Sequence, residues 1–187
     1  MKKIFILLAL IMPMLLCAQE KEEKSNSKTL EFLSKDGSIL KKEFYDLPDV
    51  VGKYKKIQNQ VLIITDMKTN KKIGCLRLIT TYTSSSDDSN YIGTLDPDEL
   101  DAAVLSMDKI LNDVVPTTPT AYTEVEYKTR DGVTIGSFWQ ENKSEWTIYI
   151  QTKSYTTRSW VSFKSEELAN LIKNLKDAKT MIDEKTK

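Results

Sequence analysis

The stretch that decides the fold is RSWVSFKSEELANLIKNL, residues 158–175, because the chain has already followed the same plan in NYIGTLDPDELDAAVLSM at 90–107. Each stretch contains a short aromatic and β-branched run, a polar turn, an adjacent pair of acidic residues and then apolar residues at helical spacing. A short apolar run predicts a strand, and an apolar stripe at i, i+3 and i+4 predicts a helix. The sequence therefore predicts two copies of a unit in which a strand leads directly into a helix.

The two predicted helices correspond position by position, which indicates an internal duplication. Their apolar stripes align at one constant spacing: Leu100, Ala103, Val104, Met107 and Val114 with Leu168, Leu171, Ile172, Leu175 and Ile182. Farther upstream, Ile73-Gly74 aligns with Ile135-Gly136 at a different spacing. That second alignment predicts that the second unit is the longer one between its hairpin and its helix.

Strand-like runs and turn signals precede each predicted helix. In the first unit they predict two short strands around Lys35-Asp36-Gly37, a loop with one helical turn at 45–60, a hairpin at 61–83 and a strand at 91–95. In the second unit they predict a hairpin around Arg130-Asp131-Gly132, strands in EWTIYIQT and TTRSWVSF, and a helix near 165–183. This order predicts an α+β fold, an antiparallel β-meander followed by a helix, duplicated. The pattern leaves open whether the two units share one sheet or pack sheet against sheet.

The N-terminus predicts export. Met1–Lys3 is cationic, an apolar run extends from Ile4 to Cys17, and Ala18 precedes a polar stretch. This arrangement is typical of a secretory signal peptide, and the run is too short for a transmembrane helix. We expect cleavage after Ala18, which would release the mature chain into the periplasm or the extracellular space. A lipid anchor at Cys17 is the alternative, disfavoured because lipoproteins usually carry a small residue where this chain has Leu16.

These signals divide the chain into five segments. Residues after Ala18 are charged and lack large apolar side chains, which predicts a flexible tether. PTTPT ends the first helix, because proline cannot continue one, and forms a linker. The predicted segments are a signal peptide at 1–18, a tether at 19–28, a first β-sheet–helix unit at 29–115, the linker at 116–120 and a second β-sheet–helix unit at 121–187.

Charge and cysteine content exclude several classes of protein. The loss of Lys2 and Lys3 with the signal peptide would leave 25 basic against 27 acidic side chains, a net charge of about −2. Nucleic-acid binding depends on an excess of Lys and Arg, so we expect no nucleic-acid partner. After cleavage at Ala18 only Cys75 remains, which excludes a disulfide framework. Its apolar surroundings predict a small buried side chain.

The sequence offers little of the usual catalytic chemistry. It contains no histidine, the commonest general base and metal ligand, and no nucleophile-elbow, Walker or zinc-protease motif. Acidic residues near the first helix could supply calcium ligands, although capping explains Asp96 and Glu99. We predict no catalytic residue, no metal site and no cofactor. The acidic residues are Asp87, Asp88, Asp96, Asp98, Glu99 and Asp101.

The distribution of aromatic residues gives the best functional clue, because all three tryptophans lie in the second unit. Aromatic rings on an exposed sheet face form stacking platforms for sugars or for partner proteins. The alternative is that the rings belong to the core, as the alternation of Trp146, Ile148 and Ile150 on one strand indicates. The candidate ligand-binding residues are Tyr149, Tyr155, Arg158, Trp160 and Trp139, and the first three are expected to be the most exposed.

Two resemblances accompany these patterns. The signal segment, with its CAQ ending, is similar to those of small exported proteins of unknown function from Gram-negative bacteria, which implies export alone. The repeated order of strands and helix resembles the Whirly and Pur-type folds, which double a unit of four strands and one helix and bind single strands. The export signal and the near-neutral charge argue against carrying that activity to this chain, because fold does not fix function.

The sequence thus predicts an exported cell-envelope or secreted protein that binds a protein or glycan without catalysing a reaction. The alternative is a histidine-independent hydrolase that uses a pair of carboxylates on envelope or extracellular glycans. The sequence leaves this alternative open, because the fold decides the distance between two carboxylates.

Overall fold

The computed structural model describes residues 26–82 and 90–187. The predicted signal peptide with Cys17 and Ala18, the tether up to residue 25, and Asp87 and Asp88 lie outside the described residues. The described part of the chain contains α1 Lys28–Leu33, β1 Leu40–Val51, β2 Lys55–Asp66, β3 Lys72–Tyr82, β4 Tyr91–Leu95, α2 Pro97–Lys109, β5 Glu124–Lys128, β6 Thr134–Gln140, β7 Glu145–Gln151, β8 Trp160–Phe163 and α3 Glu166–Lys185. None of these three helices is long and apolar enough to span a membrane.

The strands form two separate antiparallel sheets of four strands each. Their orders are β1-β2-β3-β4 and β5-β6-β7-β8, so within each sheet every strand pairs with the strands next to it in sequence. The helix α2 follows the first sheet and α3 follows the second. The predicted α+β fold with a duplicated unit is confirmed, and the two units do not share a sheet.

Equivalent residues of the two units meet each other. Thr80 and Thr152 occupy equivalent positions at the end of the third strand of each unit, and their hydroxyl oxygens lie 2.9 Å apart. Thr80 Oγ1 also lies 3.0 Å from Ser159 O, and Thr152 Oγ1 lies 3.0 Å from Tyr91 O. Each unit therefore makes the contact that the other makes, as expected where two copies meet about a two-fold axis.

The predicted alignment of Ile73-Gly74 with Ile135-Gly136 is wrong. The first dipeptide lies on β3, the third strand of its unit, whereas the second lies on β6, the second strand of its unit. When equivalent strands are aligned, the turns of the second unit are the shorter ones. The helix alignment largely agrees with burial. Three of the five aligned pairs are buried on both helices, and Val104 and Val114 are half-buried where the aligned Ile172 and Ile182 are buried. The three buried pairs are Leu100 with Leu168, Ala103 with Leu171 and Met107 with Leu175.

Each helix also contacts the sheet of the other unit. On α3, Asn174 Nδ2 donates to Pro48 O on β1 at 2.8 Å. The helix α2 in turn lies beside β5, where the Tyr127 hydroxyl donates to Glu99 O at 3.1 Å. One hydrophobic core therefore contains residues of both units, and the units interlock instead of following one another as separate domains.

The segment predicted as a loop at 45–60 belongs instead to two long strands, β1 and β2. Pro48 lies at a bulge, where the register shifts between Leu47 and Val50. Proline lacks the N–H that a sheet ladder needs, so it is tolerated at bulges and on edge strands. Since β1 is an edge strand, a residue that predicted a loop fits within a strand.

The first predicted strand, in TLEFL, is instead the helix α1. Its cap is Ser27, whose Oγ accepts a hydrogen bond from Leu30 N at 3.3 Å. Thr29 and Phe32 are buried three residues apart, a spacing that also suits one helical face. The helix begins at Lys28, which the sequence interpretation assigned to the tether. Phe32 packs on the outer side of the first sheet against Leu62, Ile64 and Cys75.

Smaller differences occur where elements end. The helix α2 continues into a π-helical turn, Ile110–Val114, before the proline-rich loop. The strand β8 has only four residues, because residues Thr157–Ser159 of the predicted strand form a 3-10 turn. The helix α3 ends at Lys185, slightly beyond its predicted end.

Candidate functional site

Alternation along the strands of the second sheet separates its two faces. One face points into the core, with Ile135, Ile148 and Val161 fully or almost fully buried. The opposite face holds a depression of about 340 Å³. We call this side of the sheet the aromatic face. Its depression is lined by Tyr122, Glu124, Glu126, Phe138, Tyr149, Gln151 and Trp160.

Three aromatic rings from neighbouring strands pack together on this face. The rings of Tyr149 and Trp160 stack, with centroids 5.7 Å apart and planes 26° apart. Phe138 leans against both, at 6.1 Å from each centroid. Such pairs contribute roughly 0.5–1.5 kcal/mol beyond the burial of their area. The rings are therefore held in place before any ligand arrives.

Tyr149 reaches across β6 towards β5 because a glycine lies between them. Tyr149 pairs with Gly136 on β6, and a Cβ at that position would lie only 3.0 Å from Tyr149 Oη and 2.6 Å from Val125 O. The absence of a side chain lets the phenol cross the strand. Its hydroxyl donates to Glu124 Oε1 at 2.6 Å and lies 3.2 Å from Glu126 Oε2.

Both carboxylates lie within hydrogen-bond distance of the Tyr149 hydroxyl, which has a single proton. Tyr149 can donate that proton to a single acceptor, and the shorter distance assigns it to Glu124. Tyr122 donates to the other oxygen of Glu124 at 3.2 Å. Burial raises the pKa of Tyr149, and the hydrogen bond and charge of Glu124 raise it further. Tyr149 therefore stays protonated, and Glu126 faces its hydroxyl without receiving the proton.

The aromatic face is negatively charged. Among the described residues, no lysine or arginine lines the depression. None of the ion pairs within residues 26–82 and 90–187 includes Glu124 or Glu126. Lys128 is the next residue of β5 on this face and is exposed, but it takes no part in the depression. Two carboxylates thus lie beside aromatic rings, and no lysine or arginine of the described residues forms an ion pair with either.

Two of the five predicted site residues lie together on this face. Tyr149 and Trp160 stack, as described above, but Tyr149 is only 4% exposed. The expectation that Tyr149 is among the most exposed candidates is wrong, because Phe138 and Trp160 cover its ring. Trp160 is half-buried and presents the larger accessible surface.

Two further predicted residues lie in the loop between β7 and β8. Tyr155 is exposed, at 61%, and Arg158 is exposed in the 3-10 turn. Gln151 at the edge of the aromatic face anchors the loop by donating to Thr156 O at 3.2 Å. Both side chains therefore belong to a loop that leaves the sheet beside the aromatic face.

Trp139 does not join the other candidates. It points to the core side of β6, is 6% exposed, and packs edge-to-face on Trp146 at 5.7 Å. These two rings border a separate open cleft of about 930 Å³ at the end of the molecule. The indole N–H of Trp146 donates to Thr117 O at 2.9 Å, so its polar group serves the fold.

Sequence reasoning missed Glu124, Glu126 and Gly136 as contributors to the site. The signal was present in the alternation of EVEYK at 124–128, which puts both glutamates on one side of β5. The role of Gly136 had no local signal, because it depends on which residue of β7 lies opposite.

A third depression, of about 280 Å³, lies on the outer side of the first sheet. Cys75 lies among its lining residues, but burial raises the pKa of its thiol to about 12, so the sulfur stays protonated and unreactive. Arg77 beside it already bonds Gln60 Oε1 at 2.5 Å and lies over the ring of Phe44. Arg77 is therefore already engaged by Gln60 and Phe44, and the Cys75 thiol is inert.

Three of the acidic residues that suggested calcium, Asp96, Asp98 and Glu99, are held in an ion-pair network around Arg130. Asp96 is completely buried and accepts hydrogen bonds from Lys28 N, at 2.7 Å, and from Arg130, at 2.9 Å. Arg130 and Lys28 also bind Asp98. In the described parts of the chain, no group of three or more acidic or cysteine side chains is arranged to hold a metal ion.

Comparison with known proteins gives no information about the function of this chain. No protein-family model and no curated protein sequence matches it. The geometry of the aromatic face is therefore the basis for a proposed function.

Proposed function

We propose that this protein is an exported, non-catalytic binding protein of the cell envelope or extracellular space, and that it recognises a protein or glycan through the aromatic face. The observation that carries the proposal is the stacked Tyr149–Trp160 pair with two carboxylates at its side, on the sheet face that points away from the core.

The geometry supports binding because the face is accessible and preorganised. The two hydroxyls of Tyr122 and Tyr149 fix Glu124, and neighbouring strands fix the rings. A ligand would therefore lose little free energy in ordering the site. The signal-like N-terminus supports export, and the negative charge of the face opposes binding of nucleic acid, which is itself negatively charged.

A thermal-shift screen tests the proposal. The panel contains oligosaccharides, cell-wall peptides, calcium and single-stranded DNA, and tryptophan emission is recorded in parallel. A ligand at about 100 times its dissociation constant should add roughly 2.7 kcal/mol of stability. We expect a glycan or peptide to raise the melting temperature and change the emission.

The matched variants locate the binding. Trp160→Leu should abolish the shift, whereas Tyr54→Leu removes an aromatic residue that is 68% exposed at the turn between β1 and β2, and should leave the shift unchanged. A ligand whose shift survives Trp160→Leu would contradict the assignment of this face. A response to DNA alone would contradict the charge argument.

The alternative function is hydrolysis of glycans by a pair of carboxylates. One observation favours it: Glu124 and Glu126 both lie within hydrogen-bond distance of Tyr149 Oη, so they are close enough together to act as a pair. Release of nitrophenol from aryl glycosides that stops with Glu126→Gln would favour this alternative over simple binding.

A further inference from the structure

The aromatic face ends at an open sheet edge. Within residues 26–82 and 90–187 the strand β5 pairs with β6 alone, so its other side is an edge of the second sheet. An edge strand presents unpaired N–H and C=O groups, which an extended chain can bind as an additional strand. Glu124 and Glu126 of the aromatic face belong to this same strand.

The register shows which backbone groups point outward. Trp139 N donates to Thr123 O at 2.8 Å, so the backbone of Thr123 faces β6. Backbone direction alternates along an antiparallel strand. The N–H and C=O groups of Glu124 and Glu126 therefore face the open edge, while their side chains lie on the aromatic face.

This arrangement couples backbone pairing to side-chain recognition. A residue placed directly opposite Glu124 or Glu126 on an added strand would put its side chain on the aromatic face, because paired residues share a face. There it would meet two carboxylates and the stacked rings of Tyr149 and Trp160. Carboxylates attract a cation, and the faces of tryptophan and tyrosine rings attract it as well.

We propose that an extended, basic segment of a partner polypeptide adds to the β5 edge and places a lysine or arginine side chain in the aromatic face. The proposal rests on the proposed function, in which this face is the binding site, and it specifies the partner. The negative charge of the depression is the feature that selects a basic segment over an uncharged glycan.

The test uses the purified protein and two short peptides. One is acetyl-Thr-Lys-Thr-Lys-Thr-amide, and the other carries glutamine in place of each lysine. Binding is followed by NMR through the amide signals of Glu124 and Glu126 and the indole signal of Trp160. We expect the lysine peptide to bind at least about tenfold more tightly than the glutamine peptide.

Two changes, one in the protein and one in the peptide, separate the contribution of the carboxylate charges from that of backbone pairing with β5. The double variant Glu124→Gln with Glu126→Gln should remove the preference for lysine, whereas Glu184→Gln, an exposed carboxylate on α3, should leave it unchanged. Methylation of the peptide amides that pair with β5 should abolish binding, because a methylated amide cannot donate.

Each other outcome overturns the inference. Equal binding of the two peptides would show that the lysine charge is not recognised. Undiminished binding of the methylated peptide would show that the peptide does not pair with the backbone of β5. An oligosaccharide that moves the Trp160 signal while no peptide does would overturn this inference and leave the proposed function standing. If the protein forms a stable dimer and the peptides do not bind to β5, the partner at this edge is a second copy of the chain and not a basic segment. No response to any probe would overturn both proposals.

Discussion

Gly136 is the residue on which the position of Tyr149 depends. A Cβ there would lie 2.6 Å from the backbone oxygen of Val125, which the sheet holds in place. A Cβ at Gly74, on the first sheet, would instead meet side-chain atoms, Ile63 Cδ1 at 2.8 Å and Ile182 Cγ2 at 3.0 Å. Side chains can shift more readily than the backbone of a paired strand, so the two glycines should differ in their tolerance of substitution.

We therefore expect Gly136→Ala to lower the free energy of unfolding by about 2–3 kcal/mol, and Gly74→Ala to cost less. Urea denaturation of both variants measures the difference. Gly136→Ala should also weaken any ligand of the aromatic face, because Tyr149 can no longer hold Glu124. A smaller loss for Gly136→Ala than for Gly74→Ala would contradict the proposed role of Gly136.

Asp96 makes stability depend on pH. Burial alone would raise its pKa, but hydrogen bonds from Thr29, Lys28 and Ser27 outweigh that effect and lower it. The charged carboxylate therefore stabilises the fold above the pKa of an unfolded aspartate, about 3.9. That contribution is lost as the pH falls from there towards the lower pKa of the folded protein.

Asp96→Asn should lower the free energy of unfolding at pH 7 by about 1.5–3 kcal/mol, the range for hydrogen bonds to a charged group. The difference from the unaltered protein should shrink below about pH 4. Denaturation at both pH values measures it, with Asp36→Asn in an exposed turn as the control. A difference that stays constant with pH would show that the charge of Asp96 does not contribute.

At the level of elements, the accuracy of the sequence-based predictions followed the clarity of each signal. The helices α2 and α3 and the strand β7 were predictable because their apolar residues recur at one regular period. The parts of β1 and β2 at residues 45–60 were not, because Pro48 lies at a bulge that only the pairing with β2 defines. The helix α1 was missed because its six residues are too short to distinguish a helical period from an alternating one.

The same limits apply to the candidate site. Trp160 was predictable as a partly accessible ring, because its strand alternates clearly. Trp139 was grouped with it although its position puts it on the other face of the sheet. The burial of Tyr149 could not be predicted, since it follows from the pairing of β6 with β7 and from the missing side chain at Gly136.

The contact between α3 and β1 should stabilise the interlocked arrangement measurably. Asn174 is 1% exposed and donates to Pro48 O, whereas Asn170 is exposed and bonds only Glu167 on its own helix. Asn174→Ala should lower the free energy of unfolding by about 0.5–1.5 kcal/mol, the net contribution of one hydrogen bond, because Pro48 O loses Asn174 and keeps only the hydrogen bond from Asn59 Nδ2 at 2.8 Å. Asn170→Ala should cost less than about 0.5 kcal/mol. Equal losses in chemical denaturation would contradict the role of this contact.

At the scale of the whole molecule, the two units should unfold as one. They share a core, exchange helix contacts and meet at Thr80 and Thr152. All three tryptophans belong to the second unit, whereas helical circular dichroism reports both units. We expect the two signals to change at the same urea concentration. Separate transitions would mean that the units are independent domains.

The most direct test of the central claim is an NMR titration of the three indole N–H signals with the ligand panel, after assignment with Trp160→Phe. Trp160 lies on the aromatic face, whereas Trp146 is fixed to Thr117 on the core side and serves as an internal reference. If the aromatic face is the binding site, a glycan or peptide will move the Trp160 signal and leave that of Trp146 in place. A ligand that moves Trp139 and Trp146 instead would transfer the binding site to the cleft at the end of the molecule and contradict the account.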